Sequence, residues 1–141
     1  MSFQYKCKHF RIEELVSPAV FAAHGEGAWR FLHPEALIGI DALREELGEI
    51  ITINNWLWKG HFRYSGLRAS GEFPKSSWLS AHRHGKAFDM RVENVSPAKL
   101  QKALQTGEIT LPGLTELELG TPTWTHVAFG TNLAKVLTFR P

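Results

Sequence analysis

The segment Gly85-Lys-Ala-Phe-Asp-Met-Arg-Val92 restricts the possible folds more than any other part of the chain. Written as a strand, its side chains alternate between two faces. Phe88, Met90 and Val92 form one face and are core residues by type, whereas Gly85, Ala87 and Asp89 form the other. The second face carries two very small side chains followed by a carboxylate, which leaves room for another group to approach the sheet. The segment therefore reads as a strand with one face laid on a core and the other left accessible.

Around this strand the pattern gives helices early and strands late. Pro34 suits a first helical turn, and Ala36, Ile40, Leu43 and Leu47 recur at helical steps. Gly48 can end the helix, so residues 34–48 carry the clearest helical signal. A second helix is expected over 97–105, with Ser96 as N-cap, Pro97 at the first position, an apolar stripe of Leu100, Ala103 and Leu104, and Gly107 following. Shorter helical turns are expected at 12–16 and 18–23, separated by Ser17-Pro18. Strand alternation recurs at Ile51 and Ile53 and at Thr125, Val127 and Phe129, and residues 136–139 close the chain as a strand. Without regular βαβ alternation the expected class is α+β, a mainly antiparallel sheet with helices packed against it. No repeat, linker or low-complexity tract divides residues 1–141, which read as a single domain. The stretch 55–79 fits neither period and holds Trp56, Trp58 and Trp78 among several glycines. A loop of that length in a small domain is usually functional, the alternative being aromatics that only pin it to the core.

Composition removes several classes of function. Sixteen basic and fourteen acidic residues leave a net charge of +2 with no dense Lys/Arg block, which gives no case for a nucleic-acid partner. No apolar run approaches the roughly 18 residues that span a bilayer, so no membrane insertion is expected. Cys7 is the single cysteine, so the fold cannot rest on disulfides and depends on packing, with or without a metal. The N-terminus lacks the apolar stretch of a secretory signal. Synthesis in the cytoplasm is therefore expected, and an extracellular target would need another delivery route.

His82 precedes the Gly85–Val92 strand and can meet Asp89 at one point in space. In Thr123-Trp-Thr-His-Val-Ala-Phe129, Val127 and Phe129 read as inward-facing, which puts His126 on the opposite face with Trp124 and Ala128. Two imidazoles and one carboxylate make a three-ligand site for Zn2+, with a fourth position open to water as in catalytic centres. In a chain with seven histidines, a His and an Asp seven residues apart also arise by chance, so spacing leaves an ordinary structural role open.

Ser80-Ala-His82-Arg-His-Gly85-Lys-Ala87-Phe-Asp89 follows, position by position, the pattern Ser-x-His-x-x-Gly-x-Ala-x-Asp. It resembles the zinc D-Ala-D-Ala carboxypeptidases and the related L-Ala-D-Glu endopeptidases of bacterial and phage peptidoglycan metabolism, which share a fold with the hedgehog signalling domain. Thr125-His-Val-Ala128 looks like the family's second motif, and Ser65-Gly-Leu-Arg68 looks like its Gly-x-Arg segment. The resemblance covers roughly residues 50–130. It implies a hedgehog-like α+β fold, a zinc cofactor held by His82, Asp89 and His126, a peptidoglycan peptide as substrate and a monomeric enzyme. A phage lysis or virion enzyme is the implied setting.

The match breaks at the general base. Such enzymes commonly carry Asp or Glu three residues before the last histidine, where this chain has Thr123. If residues 115–119 are extended, Glu116 and Glu118 share a face that a turn at Gly120-Thr-Pro122 can bring beside His126. Glu118, the nearer in sequence, is the expected base. The resemblance gives Arg68 a role in catalysis or in substrate binding, through a carboxylate fork or oxyanion stabilisation. Ser80 and Trp124 are further expected substrate contacts. The competing expectation, supported by Thr123, is a zinc-binding structural or recognition module on the same fold without catalysis.

Overall fold

The computed structural model describes residues 4–69, 81–130 and 137–140. Helix ends follow the chemistry of their terminal residues. Ser17 accepts a hydrogen bond from the Val20 amide and Pro18 opens helix α1, Pro18–His24. Helix α2, Pro34–Leu47, also starts on proline and stops at Gly48, whose φ of 65° is the left-handed cap that glycine adopts without strain. Helix α3, Pro97–Thr106, is capped by Ser96 accepting from the Lys99 amide and ends at Gly107. Short 3-10 segments lie at Ile12–Glu14, Gly25–Phe31, Trp56–Trp58 and Ala81–His84.

Among the described residues, five strands form one sheet: β1 (Ile51–Thr52), β2 (Ala87–Val92), β3 (Leu114–Glu118), β4 (Thr125–Phe129) and β5 (Leu137–Phe139). Their spatial order is β1-β2-β4-β3-β5. All neighbours are antiparallel except β3 and β5, which run parallel, so the α+β expectation holds and the sheet is mixed. The 3-10 segment Gly25–Phe31 is an addition that no capping or periodic signal announced.

The expected inward face of the central strands is buried, except that Val92 at the end of β2 is only half-buried. Phe88 and Met90 of β2, Val127 and Phe129 of β4 and Leu117 of β3 join Leu37, Ile40 and Leu43 of α2 and Leu100 and Leu104 of α3 in one core. Burial of each such side chain stabilises the fold by about 1.5–3 kcal/mol. Helix α2 can lie close to β4 because residue 39 is glycine: a Cβ there would overlap the Phe129 ring. Among the described residues, no helix is long and apolar enough to cross a membrane.

Part of the long irregular stretch is tied into this frame. Leu67 bridges Val16 in parallel, Ser65 accepts from the Asp89 amide at 2.8 Å, and the Asn54 side chain bonds both Val16 and Ser65. Residues 65–68 are thereby fixed between β2 and the N-terminal turns.

Candidate metal centre

The open sheet face assembles the site. Asp89 and His126 are directly paired across β2 and β4, with Ala87 opposite Ala128 in the next row. These small residues keep the face low beside the two polar ones. His82 arrives from the 3-10 turn Ala81–His84, which ends at Gly85. Gly85 has φ 70°, and a Cβ on it would collide with the Phe31 carbonyl, so no other residue fits this entry to β2 without strain.

Three donor atoms converge: His126 Nδ1 lies 2.8 Å from Asp89 Oδ1, His82 Nε2 lies 3.3 Å from the same oxygen, and the two nitrogens are 3.3 Å apart. Ligands about 2.1 Å from a tetrahedral zinc ion lie roughly 3.4 Å from one another, so the spacing fits a shared ion. His82, Asp89 and His126 are a group that can hold a metal, as their sequence positions led us to expect. His82 Nδ1 is 3.3 Å from the Gly66 carbonyl, which assigns the proton to Nδ1 and leaves the Nε2 lone pair directed into the site. Gly66 is itself wedged against the Leu15 backbone, where a side chain would not fit.

Electrostatics favour the ligating forms. Burial raises the Asp89 carboxyl, but the hydrogen bond from His126 and the adjoining His82 ring outweigh it and hold the group well below the usual carboxylate range. Burial lowers the His82 pKa, and the positive charge of Arg68 adds to this against the opposing pull of Asp89. A carboxylate and a neutral buried imidazole are what a cation requires.

Arg68 donates from Nε to the Tyr64 carbonyl at 2.6 Å and sets Nη2 3.9 Å from Asp89 Oδ2. It lies on the oxygen of Asp89 turned away from the histidines. A cleft of about 280 Å³ opens beside Asp89, lined by Phe62, Ser65, Arg68, Arg91 and Trp124 with His61, Arg63 and Tyr64. Trp124 thus borders the cleft. Glu118 lies on β3, where Glu116 pairs with Ala128 and Leu117 with Val127; continuing this register by one residue puts Glu118 opposite His126. Glu118 also pairs with Phe139 of β5, whose ring stands edge-on to His126 at 5.9 Å. Ser80 lies outside the described residues, as does Trp78. His84 is exposed on the far side of Arg68, lining a second hollow with Val20, His24 and Phe31.

Sequence reasoning missed Arg91 and Phe139. The alternation of β2 puts Arg91 on the Asp89 face, but its partner Phe62 lies in a segment with no period to follow. Phe139 reaches the site through a parallel pairing that the closing strand gave no sign of. No family model, curated protein or solved structure matches this chain.

Proposed function

We propose that the protein is a zinc metallopeptidase of the D-Ala-D-Ala carboxypeptidase and L-Ala-D-Glu endopeptidase type, on a hedgehog-like domain. Its substrate is a peptide bond in the stem or cross-link of bacterial peptidoglycan, and the resemblance supports a monomeric phage lysis or virion enzyme. The observation that carries this reading is the convergence of His82 Nε2, Asp89 Oδ1 and His126 Nδ1 within 3.3 Å on an open sheet face. A structural zinc site would close the fourth position with another protein ligand, and none joins these three among the described residues.

Zinc held by His82, Asp89 and His126 would supply Lewis acidity to the scissile carbonyl and to the attacking water. The chain's own groups do the rest. Asp89 and the two histidines orient the ion, and Gly66 holds the His82 tautomer. Glu118, opposite His126, takes the proton of the attacking water and returns it to the leaving amine. Arg68 supports the charge that develops on the carbonyl oxygen, and Trp124 forms a wall of the cleft.

The test is mass spectrometry of purified peptidoglycan and its stem peptides after incubation with zinc-loaded protein, with and without a chelator. A chelator-sensitive mass change is expected, and the fragments identify the bond. A zinc-loaded wild type that leaves walls of several chemotypes intact overturns the peptidase. It would favour a zinc-binding recognition module, a reading that Thr123, exposed and without a carboxylate, also supports.

A further inference from the structure

Arg91 stands two residues beyond Asp89 on the same face of β2, about 7 Å along the strand. Its guanidinium lies over the Phe62 ring, with Cζ 3.6 Å from the ring centroid, which fixes its plane. One end is committed to the protein: Nη1 donates to Ser65 Oγ at 2.9 Å and to the Ile53 carbonyl at 3.3 Å. Nε and Nη2 have no hydrogen-bond partner among the described residues. No buried side-chain nitrogen or oxygen there lacks a partner, so these two atoms meet solvent. Arg91 also lines the cleft beside Asp89.

The Nε–Nη2 edge is one of the two forks by which arginine binds a carboxylate with parallel hydrogen bonds. Asp89, the carboxylate lining this cleft, is already engaged, Oδ1 by both histidines and Oδ2 by Arg68. Arg63 adds a third guanidinium at the rim. A stacked, half-anchored arginine that lines a cationic cleft and keeps a second fork without a partner among the described residues is suited to receive an anion from outside the protein.

We propose that Arg91 is a specificity-determining residue that binds a carboxylate of the substrate next to the scissile bond. The inference rests on the peptidase reading and assigns to Arg91 the recognition of a free carboxylate on the residue following the cut. That carboxylate can be the chain terminus or an acidic side chain, and the two sources are separable.

The experiment is calorimetric binding to the zinc-loaded full chain of N-acetyl-D-Ala-D-Ala, its C-terminal amide, and N-acetyl-L-Ala-D-Glu with the α-carboxyl amidated. At least one acid is expected to bind about tenfold or more tightly than the neutral amide. A terminal carboxylate is identified by preference for the first peptide, a side-chain carboxylate by preference for the third. Arg91→Gln is expected to erase the preference with zinc content unchanged, and Arg91→Lys, which keeps the charge without the fork, to retain a minor part. Equal binding of acids and amide by the wild type, no measurable binding of either acid, or full preference retained in zinc-loaded Arg91→Gln overturns the proposal. Should Arg91→Gln not fold, the wild-type comparison and Arg91→Lys decide. Acid-selective binding that depends on Arg91 without cleavage of any peptide upholds the Arg91 assignment and removes the peptidase reading alone.

Discussion

At the residue scale the site is a contest among protons, a cation and one carboxylate. Asp89 Oδ1 faces both imidazole nitrogens, so any change there acts on all three groups. Glu118→Gln keeps the shape of the side chain and removes its basicity. It is expected to lower kcat on a peptide substrate by about 10²–10⁴-fold with zinc content unchanged; a variant with wild-type kcat removes Glu118 from proton transfer. The pKa shifts also predict acid sensitivity in the metal-free protein. His82 is pushed down in the fold by burial, so between its folded pKa and about 6.5 the unfolded chain binds more protons, and stability falls as pH drops below about 6.5. Asp89 is also depressed, so its contribution is present above about 3.9 and is lost as pH falls toward its folded value. Both act in one direction. Thermal melts of chelated protein from pH 8 to pH 4 should show Tm falling, with a shallower fall between pH 7 and pH 5 in His82→Gln.

At the element scale, a glycine sets how closely α2 and β4 pack. Gly39 lets α2 rest on Phe129 of β4, and this strand also carries His126. Gly39→Ala forces the ring or the helix to move and is expected to cost about 1–3 kcal/mol, seen as a fall in Tm of several degrees. Gly27 is the control: a Cβ there meets nothing within 4 Å, so Gly27→Ala should leave Tm nearly unchanged. Equal effects of the two substitutions would contradict this account of the α2–β4 contact. Gly85 works differently, because its positive φ and its contact with Phe31 aim the turn that delivers His82.

At the scale of the whole molecule, the three candidate ligands come from one 3-10 turn and two strands, and all of them are in place only in the folded chain. An ion bound there is linked to global stability. Zinc at one hundred times its Kd should stabilise the fold by about 2.7 kcal/mol. Differential scanning of wild type with zinc against chelated protein should therefore show a higher Tm, and Asp89→Ala should show no zinc-dependent rise. Distant anchoring also depends on the complete fold: buried Asp41 of α2 accepts from Tyr5 Oη at 2.7 Å, the Lys8 amide at 2.8 Å and the His9 amide at 3.1 Å, holding the N-terminal segment on the domain. An acidic residue on the otherwise apolar buried side of α2 gave no hint of those partners, because they lie more than thirty positions away.

Local chemistry determined much of this protein in advance. Proline, serine and glycine at helix ends act through φ angles and single hydrogen bonds, so the bounds of α2 and α3 were legible. The two-residue period of β2 and β4 separated core from site because side chains on a strand must alternate. The same alternation put Asp89 and His126 on the face opposite Phe88 and Val127, whereas His82, in the turn before β2, was named through the resemblance of its motif. Tertiary structure alone decided the rest. The parallel return of β5, the Phe139 ring beside His126, the Gly66 carbonyl behind His82 and the stacking of Arg91 on Phe62 all join segments far apart in the chain. Such contacts have no periodicity to betray them, since they depend on which surfaces remain to be covered once the sheet has formed.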